Sequence, residues 1–161
     1  MNKKQKIKKF PIGLDNNGNL YSVADYNVLI HDSNDLSFKK SIRSDWVKDY
    51  ILSNLAIDNE NSAVYFGTQN GWLIKINTNT LEKTVSDNWP IYVGDGKVGG
   101  ITLDVDGIIY AGTESGKFYA FNSDGTIKWL YDVGESIIQP AIVDSNGTIY
   151  VVSQNGKLYA F

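Results

Sequence analysis

Tyr21, Tyr65, Tyr110 and Tyr150 stand 44, 45 and 40 residues apart, and the chain around them repeats in step. A period of that length means that one small structural unit recurs, each copy burying its apolar surface against the next. Upstream of each tyrosine comes an aspartate, Asp15, Asp58, Asp104 or Asp144, and six residues after it comes Asn27, Gly71, Gly116 or Gly156. The last two copies superimpose as whole segments: residues 103–113 match 143–153, and Gly116-Lys117-Phe118-Tyr119-Ala120-Phe121 matches Gly156-Lys157-Leu158-Tyr159-Ala160-Phe161. The second copy carries one extra residue around Asn61, and the first copy is the most divergent.

Each copy reads as short strands joined by tight turns. In the third copy, a strand over Ile101–Asp104 meets the turn Asp-x-Asp-Gly, where the aspartate bonds nearby backbone N–H groups and the glycine takes positive φ. A β-rich strand over Ile108–Thr113 follows, then a turn on Gly116, a third strand over Lys117–Asn122, a turn at Ser123-Asp124-Gly125, and a fourth strand over Thr126–Tyr131. Helical periodicity is absent but for a weak stretch between Trp46 and Leu55. Four antiparallel strands per repeat of roughly 40–45 residues predict an all-β β-propeller with four blades in one chain, the repeats spanning 12–46, 53–89, 99–134 and 139–161.

Residues 116–129, Gly-Lys-Phe-Tyr-Ala-Phe-Asn-Ser-Asp-Gly-Thr-Ile-Lys-Trp, resemble the pyrroloquinoline-quinone-like repeat. The resemblance is strong over 99–161 and weaker over 12–90. It implies that Trp129 docks against the neighbouring blade. Lys40 and Thr84 hold the equivalent positions in the first two copies, so docking there is altered or absent. The family includes quinone dehydrogenases, which use a complete ring, a calcium ion with an acidic base, and often a vicinal disulfide. It also includes non-enzymatic envelope scaffolds that bind proteins. This chain has no cysteine, so the disulfide is excluded. A propeller is a scaffold for many tasks, so the site must decide the function.

The fourth copy stops at Phe161, the end of its third strand. Lys6-Ile7-Lys8-Lys9-Phe10 resembles Thr126-Ile127-Lys128-Trp129 and is expected to supply the missing strand across the join, since an unpaired edge invites aggregation. Four blades closing alone would satisfy this, as would two chains forming an eight-bladed ring as a homodimer. The blade number usual in the family favours the ring, and a fragment of a longer propeller is the third option.

Other classes fall away on composition. The net charge of −3 gives no electrostatic footprint for nucleic acid or anionic lipid, and no run is long enough to span a membrane. The lysine-rich start lacks the apolar stretch of a signal peptide, so no export signal is expected; the compartment is left open, the resemblance pointing to the cell envelope if the parent is exported. Without cysteine there is no thiol chemistry, zinc ribbon or iron–sulfur cluster.

The inventory for catalysis is thin. His31 is the only histidine; it aligns with Ala120 and Ala160 on the third strand and reads as a tolerated strand residue. Gly94-Asp95-Gly96-Lys97-Val98-Gly99 fits the dinucleotide pattern G-x-G-x-x-G, but a strand rather than a helix follows, which makes it a blade-to-blade loop. Asp104-x-Asp106-Gly107 lacks the further carboxylates of a calcium loop and reads as a turn, as does the sequon Asn146-Gly147-Thr148. No catalytic, cofactor or metal residue is assigned. The expected function is a non-catalytic module binding a protein or peptide. A piece of a quinone-dependent enzyme and a carbohydrate-binding propeller are the alternatives.

The connections after the first and second blades are longer than the third, and each carries a tryptophan followed within four residues by a tyrosine: Trp46 with Tyr50, Trp89 with Tyr92. Connections and second-to-third-strand turns share one end of a propeller. These four aromatics are therefore expected to gather near Gln69, Asn70, Gln154 and Asn155, a combination suited to a peptide or a sugar. The alternative is that the tryptophans plug the core between blades in place of the missing docking tryptophan.

Overall fold

The computed structural model describes residues 11–43, 50–51, 53–94 and 96–161. All regular structure among them is β. The first sheet runs in the order β1 (Ile12–Leu14), β2 (Asn19–Ala24), β3 (Asn27–Asp32), β4 (Phe38–Arg43). The second contains β5 (Ala56–Asp58), β6 (Ala63–Gly67), β7 (Trp72–Asn77) and the short β8 (Glu82–Lys83), with β9 (Ile91–Tyr92) also pairing with β7. The third is β10 (Val98–Leu103), β11 (Ile109–Thr113), β12 (Lys117–Phe121), β13 (Ile127–Asp132). The fourth holds β14 (Ile142–Val143), β15 (Ile149–Val152) and β16 (Leu158–Ala160). Every pairing is antiparallel and joins strands of a single repeat, which is the blade arrangement of a β-propeller.

Alternation along the strands gives each blade two apolar faces. One, called the front here, carries the repeat tyrosine and meets the following blade; the rear meets the preceding one. Tyr21, Val28 and Ile30 of the first blade bury against Val64, Phe66, Ile74 and Ile76 of the second. Tyr65 and Leu73 of the second meet Ile101, Ile109, Ala111, Tyr119 and Phe121 of the third. Tyr110, Phe118 and Ala120 of the third meet Ile137, Ile149 and Val151 of the fourth. Each such buried Phe or Ile stabilises the stack by roughly 1.5–3 kcal/mol, so the fold is held together between blades more than within them.

The repeat aspartates do more than turn the chain. Asp104 accepts the Asp106 and Ile108 N–H groups, both at 2.9 Å, and its other oxygen accepts the Tyr110 hydroxyl at 2.7 Å. Asp15 with Tyr21 and Asp144 with Tyr150 repeat the motif, at 2.7 and 3.3 Å. In the second blade the extra residue changes it: Asn61 takes Asp58 through its backbone N–H and side-chain amide, both 2.9 Å, and the Tyr65 hydroxyl is buried without a hydrogen-bond partner.

The first blade corrects the expected alignment. Tyr21 faces Ile30, whereas Tyr65, Tyr110 and Tyr150 face Lys75, Ala120 and Ala160. Its β2–β3 hairpin is one residue shorter, and Asp25, with φ 53°, supplies the left-handed turn residue. His31 therefore matches Phe121 and Phe161, not the alanines, and Asn27 is no counterpart of the repeat glycines.

The proposed closing strand Lys6–Phe10, and half of the weakly helical stretch from Trp46, lie outside the described residues; the described half, 50–51 and 53–55, is not helical. Among the described residues nothing pairs with the outer edge of β16.

Candidate interaction face

The end of the molecule carrying the inter-blade connections is built from a repeated backbone link. The first residue of the turn between second and third strands donates its N–H to the incoming connection: Gln69 to Tyr50 O at 2.9 Å, Glu114 to Lys97 O at 2.8 Å, Gln154 to Ser136 O at 2.8 Å. Tyr50, Lys97 and Ser136 thus occupy equivalent rim positions, and their side chains are where the blades differ.

Two aromatic pairs stand on this rim. Tyr50 is exposed and stacks on Tyr26, ring centroids 4.2 Å apart. Tyr26 sits in the tight β2–β3 turn, and the Ile51 N–H bonds Asp25 O at 3.2 Å, pinning the connection to that turn. Tyr92 is also exposed and lies 4.9 Å from Trp72, directly across the β7–β9 pairing. That pairing depends on Gly71. Its φ is +88°, a Cβ there would lie 1.8 Å from Gly94 O, and its own carbonyl accepts the Val93 N–H at 2.9 Å. Only a glycine lets the connection cross so closely.

Of the residues expected on this face, Tyr50, Tyr92, Gln69 and Asn70 are brought to neighbouring turns of the first and second blades. Gln154 and Asn155 share the same end but belong to the fourth blade, where Gln154 bonds Ser136 and not an aromatic residue. Trp46 lies outside the described residues. Trp89 is not on the face but follows the alternative, a plug of the core: it is 2% exposed, 5.5 Å from the Tyr65 ring, and fills the space between second and third blades. It does what Trp129 does one blade on. Trp129, opposite Ala120 on β13, lies 5.9 Å from Tyr110, 5.6 Å from Phe118 and 5.7 Å from Phe161. Thr84 bonds Lys75, the counterpart of Ala120, through its N–H at 2.8 Å and is too small to fill the gap, so a tryptophan from the following loop fills it.

The sequence reasoning missed Tyr26 and Trp72. Each immediately follows or lies within a turn that a connection crosses. A signal was present: both are large aromatics at turn positions where the third and fourth copies carry Ser115, Lys117, Asn155 and Lys157.

Lys75 lies opposite Tyr65 on the front face of the second blade. Its Nζ donates to Ser123 O at 3.0 Å and lies 5.7 Å from the Tyr65 and Trp89 rings; burial lowers its pKa. His31 packs edge-on to Phe38 at 5.7 Å on the rear of the first blade, and among the described residues no three His, Asp or Glu side chains group to hold a metal. The glycine-rich segment leads into β10, not a helix. At the opposite end, two grooves of about 360 and 420 Å³ separate the aspartate turns.

No family model matches the chain, and no curated protein matches it. Solved structures do. A chain in "Crystal Structure of Mitotic Checkpoint Complex" superimposes with a TM-score of 0.75 at 11% identity, over 94% of this chain and 46% of that one. The computationally designed Ika4 protein superimposes with a TM-score of 0.77 at 11% identity, over 98% and 93%. This chain therefore has the β-propeller fold and spans just under half of the checkpoint-complex chain. No helix among the described residues is long and apolar enough to cross a membrane.

Proposed function

We propose that the chain is a non-catalytic propeller module that takes a protein or peptide partner on its connection end. The observation that carries this is the pair of tilted aromatic contacts, Tyr26 with Tyr50 and Trp72 with Tyr92, held on adjacent turns beside Gln69 and Asn70. Tyrosine and tryptophan offer large contact area with few rotatable bonds, and ring-to-ring packing restrains them before a partner arrives, so less ordering entropy remains to be lost on binding. The neighbouring amides can donate to and accept from an extended backbone. The repeat itself is proposed to be of the pyrroloquinoline-quinone-like type, a reading supported by the Trp129 dock.

Peptides selected by display on the immobilised chain provide the test. Calorimetry should show affinity falling at least about tenfold in Tyr50→Ala and in Tyr92→Ala, the scale of a central aromatic contact. Unchanged affinity in both variants would refute the face. Binding of glycans instead of peptides, lost in the same variants, would replace the peptide with a sugar. A spectral change and thermal shift on adding the quinone with calcium would overturn the non-catalytic assignment.

A further inference from the structure

Every blade offers a front and a rear, and three front-to-rear contacts inside the chain bury both. Two end faces are left. The front of the fourth blade presents Ile142, Tyr150, Val152, Leu158 and Ala160, the counterparts of residues covered elsewhere. Leu158 is 71% exposed, whereas Phe118 at the same position one blade earlier is 1% exposed; Ile142 is 69% exposed. The rear of the first blade presents Ile12, Leu14, Leu20, Leu29 and Phe38. Ile12 faces Ser22 and Leu14 faces Leu20 across β1–β2, so all lie on the side away from Tyr21. Ile12, Leu14 and Phe38 are exposed.

These faces have the chemistry of the three buried contacts and are uncovered in the same molecule, so the first blade does not cap the fourth within one chain. We infer that a second copy covers them: the front of the fourth blade of each protomer docks on the rear of the first blade of the other. A second copy has one spare front and one spare rear, and so satisfies both ends. Two identical contacts related by a two-fold axis then leave no end face open, giving eight blades in a closed pair.

Light scattering on the full chain tests this. The expected mass is twice the 17.9 kDa of one chain. Leu158→Asp and Ile12→Asp, both on exposed side chains, should each give the single-chain mass. An equal mixture of the two should recover two-chain species, because the intact front of one variant meets the intact rear of the other. A single-chain mass for the unaltered protein would overturn the inference, whatever the variants do. So would a pair that survives Ile12→Asp but not Leu158→Asp, since that pattern means two fronts meeting each other.

Discussion

The Tyr110 hydroxyl donates to Asp104 Oδ2 at 2.7 Å, tying the third blade's second strand to the turn that precedes it. Tyr21 and Asp15 do the same at 2.7 Å in the first blade, and both residues there are buried. Tyr65 has no such partner. Tyr21→Phe should therefore cost about 1–3 kcal/mol, because it strips a bond from a buried carboxylate, while Tyr65→Phe should be neutral or stabilising. Denaturant unfolding of the two variants checks this; equal losses would contradict it.

Trp89 and Tyr92 lie three residues apart but on opposite sides of the division between core and surface. Trp89→Ala should lose about 3–5 kcal/mol by opening a cavity between second and third blades. Tyr92→Ala should stay within about 0.5–1 kcal/mol, removing mainly a surface stack. Thermal melts of the two variants separate the roles that a shared loop concealed.

Gly112 and Gly147 need glycine for different reasons. A Cβ on Gly112 would lie 2.3 Å from the Ile137 side chain, so Gly112→Ala pushes the fourth blade away at about 1–3 kcal/mol. Gly147 has open space around it but φ +83°, so Gly147→Ala costs about 1 kcal/mol of backbone strain alone. The Ile137 N–H bonds Thr113 O across that boundary at 2.9 Å. Its hydrogen exchange should quicken in Gly112→Ala and not in Gly147→Ala.

The repeat made most of the fold legible. Where the aspartate–tyrosine spacing holds, as in the third copy, strands begin and end within a residue of expectation, because turn chemistry and alternation agree; the exception is β10, which starts three residues early at Val98. The first blade misled where a shorter hairpin kept the count from Tyr21 to Asn27 while changing the pairing beneath it. Trp89 was legible both ways. A tryptophan in a loop reads as surface, but Thr84, too small to fill the space beside Tyr65, marks a gap in the core that a nearby tryptophan can plug, and that is where Trp89 lies. Tyr26 and Trp72 were legible only as large aromatics at turn positions; their partners come from other segments, so no local pattern pairs them.

Stability should fall at both ends of the pH range. Backbone bonds from Thr148 and Asn146 hold the Asp144 carboxyl below its ordinary value, and bonds from Thr126 do so for Asp124. Such groups contribute stability above the unfolded pKa and lose it as pH falls through the folded one, giving an acid limb below about pH 4. Burial, then the hydrogen bond it donates to Asp15, raises Tyr21 above the ordinary 10.0, and burial raises Tyr65 and Tyr110. Their contribution is intact below pH 10 and declines above it. Melting temperature against pH, with phenolate absorbance, checks both limbs: buried tyrosines should ionise only as the chain unfolds.

The account turns on which end of the propeller meets a partner. Hydrogen exchange on the chain bound to a selected peptide answers that directly. Slowed exchange at 24–27, 50–51, 69–73 and 91–94 is the predicted result. Slowing confined to the aspartate turns at 15–18, 104–107 and 144–147 would contradict it.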